Sequence, residues 1–477
     1  MRVKINGKRE ERNAMIYSSL EQITDRCQGI VVIDGSHVSV SDEKRFVTEI
    51  LDDLVYTAVF SSDRSIKDTV YWVIRRAAAS LGIFHASIQS LYEAMGRGDV
   101  SGFSVPAINV RGLTYDTAQA VFRAMAKGNV GPVLFEIARS EMKYTEQPPL
   151  EYGGVITAAA IKTGYRGPLM LQGDHFQVNA KKYASAADEE IAAIKDLITE
   201  AIDAGIYNID IDASTVVDLS RPTIQEQQAA NYGITADLTA FIRACEPEDI
   251  TVSTGGEIGE VGTKNTTVEE FTIFMDHYLS RLREHGGDLT GISKISIQTG
   301  TTHGGVPLAD GSIAQANIDF DTLKKISRVA RERYGLSGAV QHGASTLPNE
   351  AFDRFPAVGT AEIHLATGFQ NILYDSEHFP QELRDRIYDY IRDTLGGERK
   401  ESDTEEQFLY KTRKKAFGPF KHEMWHLPRD IRDAIGKKLE QQFAFLFDKL
   451  GVVDTRTVVE KHIKSVDVPV EPPTTLR

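Results

Sequence analysis

The feature that most constrains the fold of this chain is a regular alternation of short apolar runs with amphipathic stretches, which begins near residue 104. The apolar runs have the length and composition of strands and cover 103–110, 131–137, 168–174, 207–212, 249–257, 293–300, 337–343 and 361–367. The amphipathic stretches have helical periodicity and cover 115–127, 154–163, 188–204, 225–244, 268–284, 321–334 and 349–354. Strands that alternate with helices form parallel sheets covered by helices. Eight such units in about 270 residues predict an α/β fold, a closed (β/α)8 TIM barrel rather than an open sheet.

Two further regions flank the predicted barrel. Before it, strand-like runs at 30–34 (IVVID) and 54–60 (LVYTAVF) accompany helical runs at 66–80 and 85–94. After about residue 375 the sequence is charged and has helical periodicity. The predicted organisation is an N-terminal α/β extension over 1–100, a TIM-barrel catalytic domain over 101–375 and a helical C-terminal extension over 376–477.

Composition narrows the class of protein. The chain has 54 Lys and Arg residues and 68 Asp and Glu residues, which gives a formal charge of −14. This negative charge argues against a general nucleic-acid binder. Two cysteines, Cys27 and Cys245, are too few for a disulfide framework or a cysteine-rich metal site. The N-terminus has no apolar signal core, and no run has the length of a membrane span. We therefore expect a cytoplasmic protein with neither a nucleic acid nor a membrane as partner.

Polar and ionisable residues concentrate where the predicted strands end. They are Asn109, Glu136, Asp174, His175, Asp212, Glu257, His303, His342 and His364. The C-terminal ends of the strands form the working face of a TIM barrel. His175, His303 and His342 converge there if the barrel closes, and three neutral imidazoles with an open position suit a catalytic divalent metal, above all zinc. Asp212 and Glu257 are candidates for further metal ligands, for carboxylates that orient the imidazoles, or for ordinary caps of strand-end amides.

Glycines follow two of these histidines. Gly304 and Gly305 come directly after His303, and Gly343 after His342. Their backbone N–H groups allow close approach by an oxyanion, and Ser345 adds a hydroxyl. The pattern indicates a substrate that carries both metal-binding oxygens and a phosphate.

These motifs, in this order from Ser104 to Asn371, resemble the class II, zinc-dependent fructose-bisphosphate aldolase family. The resemblance is carried by VPAINV, LQGDHFQ, AIDAGIYNIDIDAS, GGEIGEVG, GTTHGGV and VQHGAST. It implies Zn2+, or another divalent metal, bound by His175, His303 and His342, with Asp212 and Glu257 binding it in an alternative position. It also implies that Asp174 protonates the aldehyde oxygen when the carbon–carbon bond forms.

The same resemblance implies a sugar-phosphate substrate and a homo-oligomer. Fructose 1,6-bisphosphate is the default substrate, cleaved in glycolysis to dihydroxyacetone phosphate and glyceraldehyde 3-phosphate. The phosphate of dihydroxyacetone phosphate would be held by Gly304, Gly343, Ala344 and Ser345, and Asn109 would position the substrate.

The chain departs from the family pattern in three places. Strand eight reads HLAT where the family has Asn-x-Asp-Thr, so His364 and Ala366 replace the amide and the acid, and only Thr367 matches. We still expect His364 and Thr367 to contact the substrate. Strand two has Glu136 and Ala138 where the family often has Gln and Ser. In the loop after strand five, the candidate proton acceptors Glu260, Glu269 and Glu270 lie outside the family register.

Two alternative functions remain. HEMWH at 422–426 fits the His-Glu-x-x-His motif of zinc proteases, but Pro419 and Pro428 leave room for only a very short helix. The competing interpretation is an amphipathic turn with Met424 and Trp425 packed on the barrel. The altered strand eight also fits a non-catalytic, aldolase-like partner subunit, whereas the Asp174 and histidine set argues for an enzyme.

Overall fold

The computed structural model describes residues 14–259, 264–300, 318–344 and 347–473. The chain forms two compact units, one made of residues up to 82 together with the segment from 469 onward, the other of residues 83–468. None of the helices in the described ranges is long and apolar enough to cross a membrane.

The first unit combines a β-hairpin with helices. Its elements are α1 (Leu20–Cys27), β1 (Val31–Asp34), β2 (His37–Val40), α2 (Glu43–Arg45), α3 (Leu51–Phe60) and α4 (Arg64–Ser80). The prediction of a strand at 54–60 was wrong, because this run lies in α3. Residues 54–59 are buried all round, and a short apolar run buried on every side has no periodicity that separates strand from helix.

In the described part of the second unit, eight parallel strands close the predicted TIM barrel. A short parallel strand, β3 (Ile83–His85), and α5 (Gln89–Arg97) precede it. The barrel strands are β4 (Val105–Asn109), β5 (Leu134–Ala138), β6 (Gly167–Gln177), β7 (Asn208–Asp212), β8 (Ser253–Gly259), β9 (Lys294–Ile297), β10 (Ala339–Gln341) and β11 (Glu362–Leu365). Each pairs with the next, and β11 closes on β4 with Glu362 opposite Val105. The predicted helix at 85–94 was wrong at its start, because His85 belongs to β3, which pairs with β6.

Helices alternate with the barrel strands. They are α6 (Thr114–Gly128), α7 (Arg139–Tyr144), α8 (Pro149–Lys162), α9 (Ala180–Ser185), α10 (Ala187–Asp203), α11 (Ile224–Cys245), α12 (Val268–Glu284), α13 (Phe320–Tyr334), α14 (Arg354–Val358) and α15 (Thr367–Tyr374). Six of them, α6, α8, α10, α11, α12 and α13, lie at nearly the predicted positions. The predicted helix at 349–354 is instead a 3-10 turn, Asn349–Ala351, followed by α14. The start of α12 agrees with prediction because Thr267 and Glu270 cap each other's backbone.

The C-terminal region continues as helices, as its periodicity predicts. They are α16 (Gln381–Leu395), α17 (Glu405–Thr412), α18 (Lys421–Trp425), α19 (Arg429–Lys449) and α20 (Arg456–His462). α19 packs along α6. Glu440 of α19 forms ion pairs with Arg123 and Lys127 of α6. A 3-10 turn, Arg413–Ala416, joins α17 to the segment before α18 and lies close to the C-terminal rim of the barrel.

Candidate active site

A cavity of about 550 Å³ opens at the C-terminal ends of the barrel strands. Seven of the predicted site residues line it: Asn109, Asp174, His175, His342, Gly343, His364 and Thr367. The barrel therefore gathers at one place residues that are up to about 260 positions apart in sequence.

Asp174 and His175 both face the interior although they are consecutive in β6. In a regular strand neighbouring side chains point to opposite faces. Here the pairing of β6 with β7 slips between Gly173 and Phe176, and His175 has φ +42°. A bulge of this kind re-aims side chains, and a non-glycine residue in this left-handed region is strained. The bulge thus explains how one strand delivers an acid and an imidazole side by side.

His175 lies among carboxylates in a group that we call the upper cluster: Asp174, His175, Asp212, Glu257 and His342. Its Nδ1 is 3.0 Å from Oε2 of Glu257 and 3.2 Å from Oδ2 of Asp212. The His342 ring lies beside it, tilted by 35°, with ring centroids 4.3 Å apart. Nδ1 of His342 is 3.8 Å from Oε1 of Glu257, and its Nε2 is 3.6 Å from Oδ1 of Asp174.

The charges of the upper cluster shift the pKa values of its members in different directions. Burial alone would lower the pKa of His175, but Asp174 and Glu257 outweigh it and hold that pKa well above its usual value. Burial, together with the charges of His364 and His175, holds the pKa of His342 well below its usual value. Burial and the nearby Asp212 raise the pKa of Glu257 to about 7. The surroundings therefore favour the neutral form of the His342 imidazole and the protonated form of the His175 imidazole.

The upper cluster fits a divalent metal. Ligand atoms of His175, Glu257 and His342 all lie within 4.8 Å of one another. Tetrahedral ligands at about 2.1 Å from an ion lie roughly 3.4 Å apart, which is the range of the separations here. Asp212 has the position of a further ligand or of a carboxylate that orients His175, since its other oxygen accepts from the hydroxyl of Ser214 at 2.7 Å.

His364 connects the upper cluster to the barrel interior. Its Nδ1 is 2.9 Å from Oε2 of Glu136 and 3.2 Å from Oδ1 of Asp174, and its Nε2 is 2.6 Å from Oε1 of Glu362. Burial lowers the pKa of His364, but Glu136 and Asp174 more than compensate and raise it well above the usual value. Two departures from the family pattern, Glu136 and His364, are thus in direct contact.

A second set of charges, the lower network, fills the barrel beneath His364 and consists of Tyr92, Gln172, Asp210, Lys294 and Glu362. The Lys294 ammonium is 2.7 Å from Oε1 of Gln172, 3.0 Å from Asp210 and 2.5 Å from Oε1 of Glu362. Tyr92 of α5 donates to the other oxygen of Glu362. Gly255 provides the space, because a Cβ there would collide with Oδ1 of Asp210. Burial lowers the pKa of Lys294, but the two carboxylates more than offset this effect and raise it.

Some predicted residues lie outside the described ranges or away from the cavity wall. His303, Gly304, Gly305, Ser345 and Glu260 fall outside the described ranges. Ala344 is fully buried, and Asp212 and Glu257 do not line the cavity but contact His175, which does. Glu269 and Glu270 begin α12, where Glu270 accepts from the backbone and hydroxyl of Thr267.

Charged residues of the cavity wall were missed by the sequence reasoning. They are Arg111, Arg139, Glu141, Lys143, Lys182 and Lys414. The first two follow Asn109 and Glu136 by two and three positions, so their place just past a strand end was a usable signal. Lys414 had no such signal, because it comes from the helical region some 300 residues away from β4.

The HEMWH motif forms no second metal centre of this kind. Its helix, α18, is a single turn over residues 421–425. Met424 is buried and Trp425 stacks on Tyr115 of α6 with ring centroids 6.2 Å apart, while Glu423 pairs with Arg386. Across the described ranges, the three groups of side chains with metal-ligand spacing all lie inside the barrel.

Comparisons with known proteins identify the family. The model of the family described as fructose-bisphosphate aldolase class-II matches residues 89–427. Comparison with curated protein sequences gives no significant match. The fold is shared with a probable tagatose 6 phosphate kinase from Sinorhizobium meliloti (17% identity, 78% of this chain and 96% of that chain, TM-score 0.52). A fructose-bisphosphate aldolase from Campylobacter jejuni also matches (18% identity, 78% and 97%, TM-score 0.47). The chain belongs to the class II fructose-bisphosphate aldolase family.

Proposed function

We propose that this protein is a metal-dependent lyase that reversibly cleaves a carbon–carbon bond of a ketose phosphate. Fructose 1,6-bisphosphate, cleaved to dihydroxyacetone phosphate and glyceraldehyde 3-phosphate, is the default substrate. The observation that carries the proposal is the convergence of His175, Glu257 and His342 beside Asp174 at one cavity. We further propose zinc as the metal, a homo-oligomeric assembly and a cytoplasmic role in carbohydrate metabolism.

The metal site would be built by His175, His342 and Glu257, with His303 as the third imidazole and Asp212 as an alternative ligand. A divalent ion held there supplies positive charge beside the ketose oxygens on which negative charge develops during cleavage. His342 is suited to ligate at neutral pH, because burial and two neighbouring imidazoles keep its pKa low.

Asp174 is the proposed proton-transfer residue. Burial raises the pKa of this carboxyl, but His175 and His364 outweigh it and hold the pKa well below its usual value. In the cleavage direction the carboxylate takes the proton of the hydroxyl next to the breaking bond, and in condensation it returns the proton to the aldehyde oxygen. Nδ1 of His364 lies 3.2 Å from Oδ1 of Asp174, where its positive charge favours the carboxylate.

Substrate positioning would fall to residues on the wall of the cavity. Asn109 donates its amide to Glu141, and its Oδ1 is buried without a hydrogen-bond partner among the described residues, so it can accept from a substrate hydroxyl. Gly343 has φ +68° and lines the cavity, where its backbone can approach a phosphate closely. Gly304, Ala344, Ser345, His364 and Thr367 complete the proposed substrate-binding set.

Metal analysis of the purified protein, followed by a cleavage assay on a panel of ketose mono- and bisphosphates, tests this function. We expect one equivalent of zinc and release of dihydroxyacetone phosphate. If zinc is bound but no ketose phosphate is cleaved, the non-catalytic partner subunit becomes the better interpretation, as the altered strand eight suggests. If zinc is lost only on His422→Ala, the protease interpretation replaces both.

A further inference from the structure

Three carboxyl groups of described residues line the cavity, and two of them already have a task. Asp174 is the proposed proton-transfer residue at the hydroxyl and aldehyde oxygens. Glu141 is neutralised by Arg111 at 2.7 Å and accepts the backbone N–H of Ala138 at 2.9 Å. The third carboxyl group belongs to Glu136 on β5 and has no role in the mechanism proposed above.

The contacts of the Glu136 side chain fall on one of its two oxygens. Oε2 accepts from Nε2 of Gln172 at 3.2 Å and lies 2.9 Å from Nδ1 of His364. No described residue donates a hydrogen bond to Oε1. Only 1% of the residue is exposed, yet it lines the cavity. One oxygen therefore fixes the carboxyl group, and the other is available to a bound molecule.

The surroundings of Glu136 favour a carboxyl group that takes up a proton readily. Burial is the largest influence and raises its pKa, although the charge of His364 acts in the opposite direction. At Asp174 the outcome is reversed, because His175 and His364 outweigh burial and hold the pKa well below its usual value. Two carboxyl groups at one cavity thus differ in basicity, which suits two different proton transfers.

Cleavage of a ketose phosphate needs two proton transfers at different atoms. Asp174 is assigned to the hydroxyl proton, and the other transfer delivers a proton to the carbon that keeps the electron pair of the broken bond. Glu269 and Glu270 do not line the cavity, and Glu270 accepts from Thr267. Glu260 lies outside the described ranges. The described part of the chain therefore leaves the transfer at carbon to a residue of the barrel itself.

We propose that Glu136 is the catalytic residue that exchanges a proton with the nucleophilic carbon of the ketose phosphate. This inference rests on the proposed function, to which it adds a second acid–base residue. In cleavage the carbon–carbon bond breaks, its electron pair forms a C–H bond with the proton of the Glu136 carboxyl group, and a carboxylate remains.

In condensation the same atoms move in reverse. The Glu136 carboxylate removes a proton from the hydroxymethyl carbon of dihydroxyacetone phosphate, and the electron pair left on that carbon attacks the aldehyde carbon. The aldehyde oxygen then receives the proton of Asp174. Exchange with water restores the protonation states of both carboxyl groups after each turnover.

The test is uptake of deuterium at the hydroxymethyl carbon of dihydroxyacetone phosphate in D2O, followed by proton NMR with the full-length, metal-loaded protein. This reaction needs the group that acts at carbon, but neither an aldehyde nor the acid at its oxygen. We expect Glu136→Gln to slow the uptake by about a hundred- to ten-thousandfold, with little change in affinity for dihydroxyacetone phosphate. Asp174→Asn should retain the uptake and lose cleavage. Glu189→Gln, at an exposed position of α10, is the matched control.

The metal content of each variant distinguishes a lost base from a lost metal site. If Glu136→Gln does not fold or does not retain the metal, Glu136→Asp takes its place, and we expect it to bind the metal and to take up deuterium more slowly, because its carboxyl group is displaced by one methylene. Uptake at the wild-type rate in a metal-loaded Glu136→Gln protein overturns the inference. The same assay on Glu260→Gln then shows whether the loop supplies the base instead.

Comparison of uptake with cleavage separates this inference from the proposed function. If the wild-type protein cleaves a ketose phosphate but its deuterium uptake does not depend on Glu136, the proposed function stands and the inference is wrong. Uptake that depends on Glu136 in a protein that cleaves none of the tested ketose phosphates gives the reverse result. Equal losses of affinity and of uptake in Glu136→Gln would show that the residue only positions the substrate, and would also overturn the inference.

Discussion

The upper cluster and the lower network both place several charges inside one barrel, yet they differ in how those charges are satisfied. In the lower network the three N–H donors of the Lys294 ammonium meet three acceptors, on Gln172, Asp210 and Glu362. In the upper cluster His175 and His342 stand beside carboxylates at the wall of a cavity. The Lys294 ammonium is satisfied by residues of the lower network, whereas His175 and His342 of the upper cluster line a cavity.

The difference shows that buried charge alone does not mark an active site. A buried cation whose three donors all meet acceptors makes this part of the barrel interior rigid and specific. A set of lone pairs and carboxylates that converge at an opening is poised for an added cation. His364 belongs to both regions, since it contacts Asp174 above and Glu362 below.

The substitution with the largest expected effect disrupts only the upper cluster. His175→Ala removes a proposed metal ligand, so we expect loss of the bound metal and a fall in turnover of about a thousandfold or more, with a modest change in the free energy of unfolding. Elemental analysis and a cleavage assay measure the two quantities. His378→Ala, at an exposed position, is the control. Full metal content in His175→Ala would show that the upper cluster is not the metal site.

Removal of the cation tests the lower network. Lys294→Met leaves Asp210 and Glu362 buried without compensation, so we expect the free energy of unfolding to fall by about 3–5 kcal/mol. Urea denaturation measures this loss, with the exposed Lys324→Met as the control. Adding Glu362→Gln should restore part of the stability. Unchanged stability together with lost metal would contradict the distinction between the two regions.

Replacement of the shared residue sharpens the comparison. His364→Asn removes the imidazole between Glu136, Asp174 and Glu362, and we expect a loss of about 1–3 kcal/mol in the free energy of unfolding, as for unpaired buried groups. The metal content should stay at the wild-type value, because the proposed ligand set is the group of His175, Glu257 and His342 and not either of the two groups with metal-ligand spacing that contain His364. Denaturation and elemental analysis on the same sample provide both measurements. A parallel loss of metal would place His364 among the ligands.

The smallest effect is a dependence of metal affinity on pH. Glu257, with a pKa of about 7, and His175, whose pKa is raised, must lose protons when they bind an ion. Affinity should therefore rise between about pH 6 and 8, by roughly tenfold per pH unit for each proton released. Calorimetry in buffers of different ionisation enthalpy counts those protons.

The same pKa shifts have the opposite effect on the metal-free protein, whose free energy of unfolding falls as the pH rises. Both groups have a raised pKa in the folded protein, so their stabilising contribution is complete below their unfolded pKa values. It is lost as pH rises through the folded values, near 7 for Glu257. Chelator-treated protein should lose stability between pH 6 and 8, whereas the metal-loaded protein should gain. A metal-loaded protein that also loses stability over this range would contradict the ligand assignment.

Most of the barrel could be predicted from sequence because each βα unit carries its own signals. The capping pair Thr267 and Glu270 fixed the start of α12, and the eight strand positions agree with the structure within a few residues. The strand predicted at 54–60 failed because a run buried on all sides has no periodicity. The helix predicted to begin at His85 failed because pairing of β3 with β6 outweighed a local preference.

The site was predictable where chemistry follows a strand end. Asp174, His175, Asp212, Glu257 and His342 meet in the structure as their positions at strand ends indicated. The roles assigned to them remain proposals. Lys294, at the start of β9, gave no signal of its partners, because these lie on β6, β7 and β11 and are set by barrel closure.

The sequence alone determined the fold class, the order of the strands and the identity of the residues at their tips, because periodicity and capping act over a few residues. Only the tertiary structure decided which of these charges close on one another and which face a cavity. It placed Glu136 against His364 and surrounded the Lys294 ammonium with three acceptors. Such outcomes depend on distances between residues far apart in the chain, and only the closed barrel sets those distances.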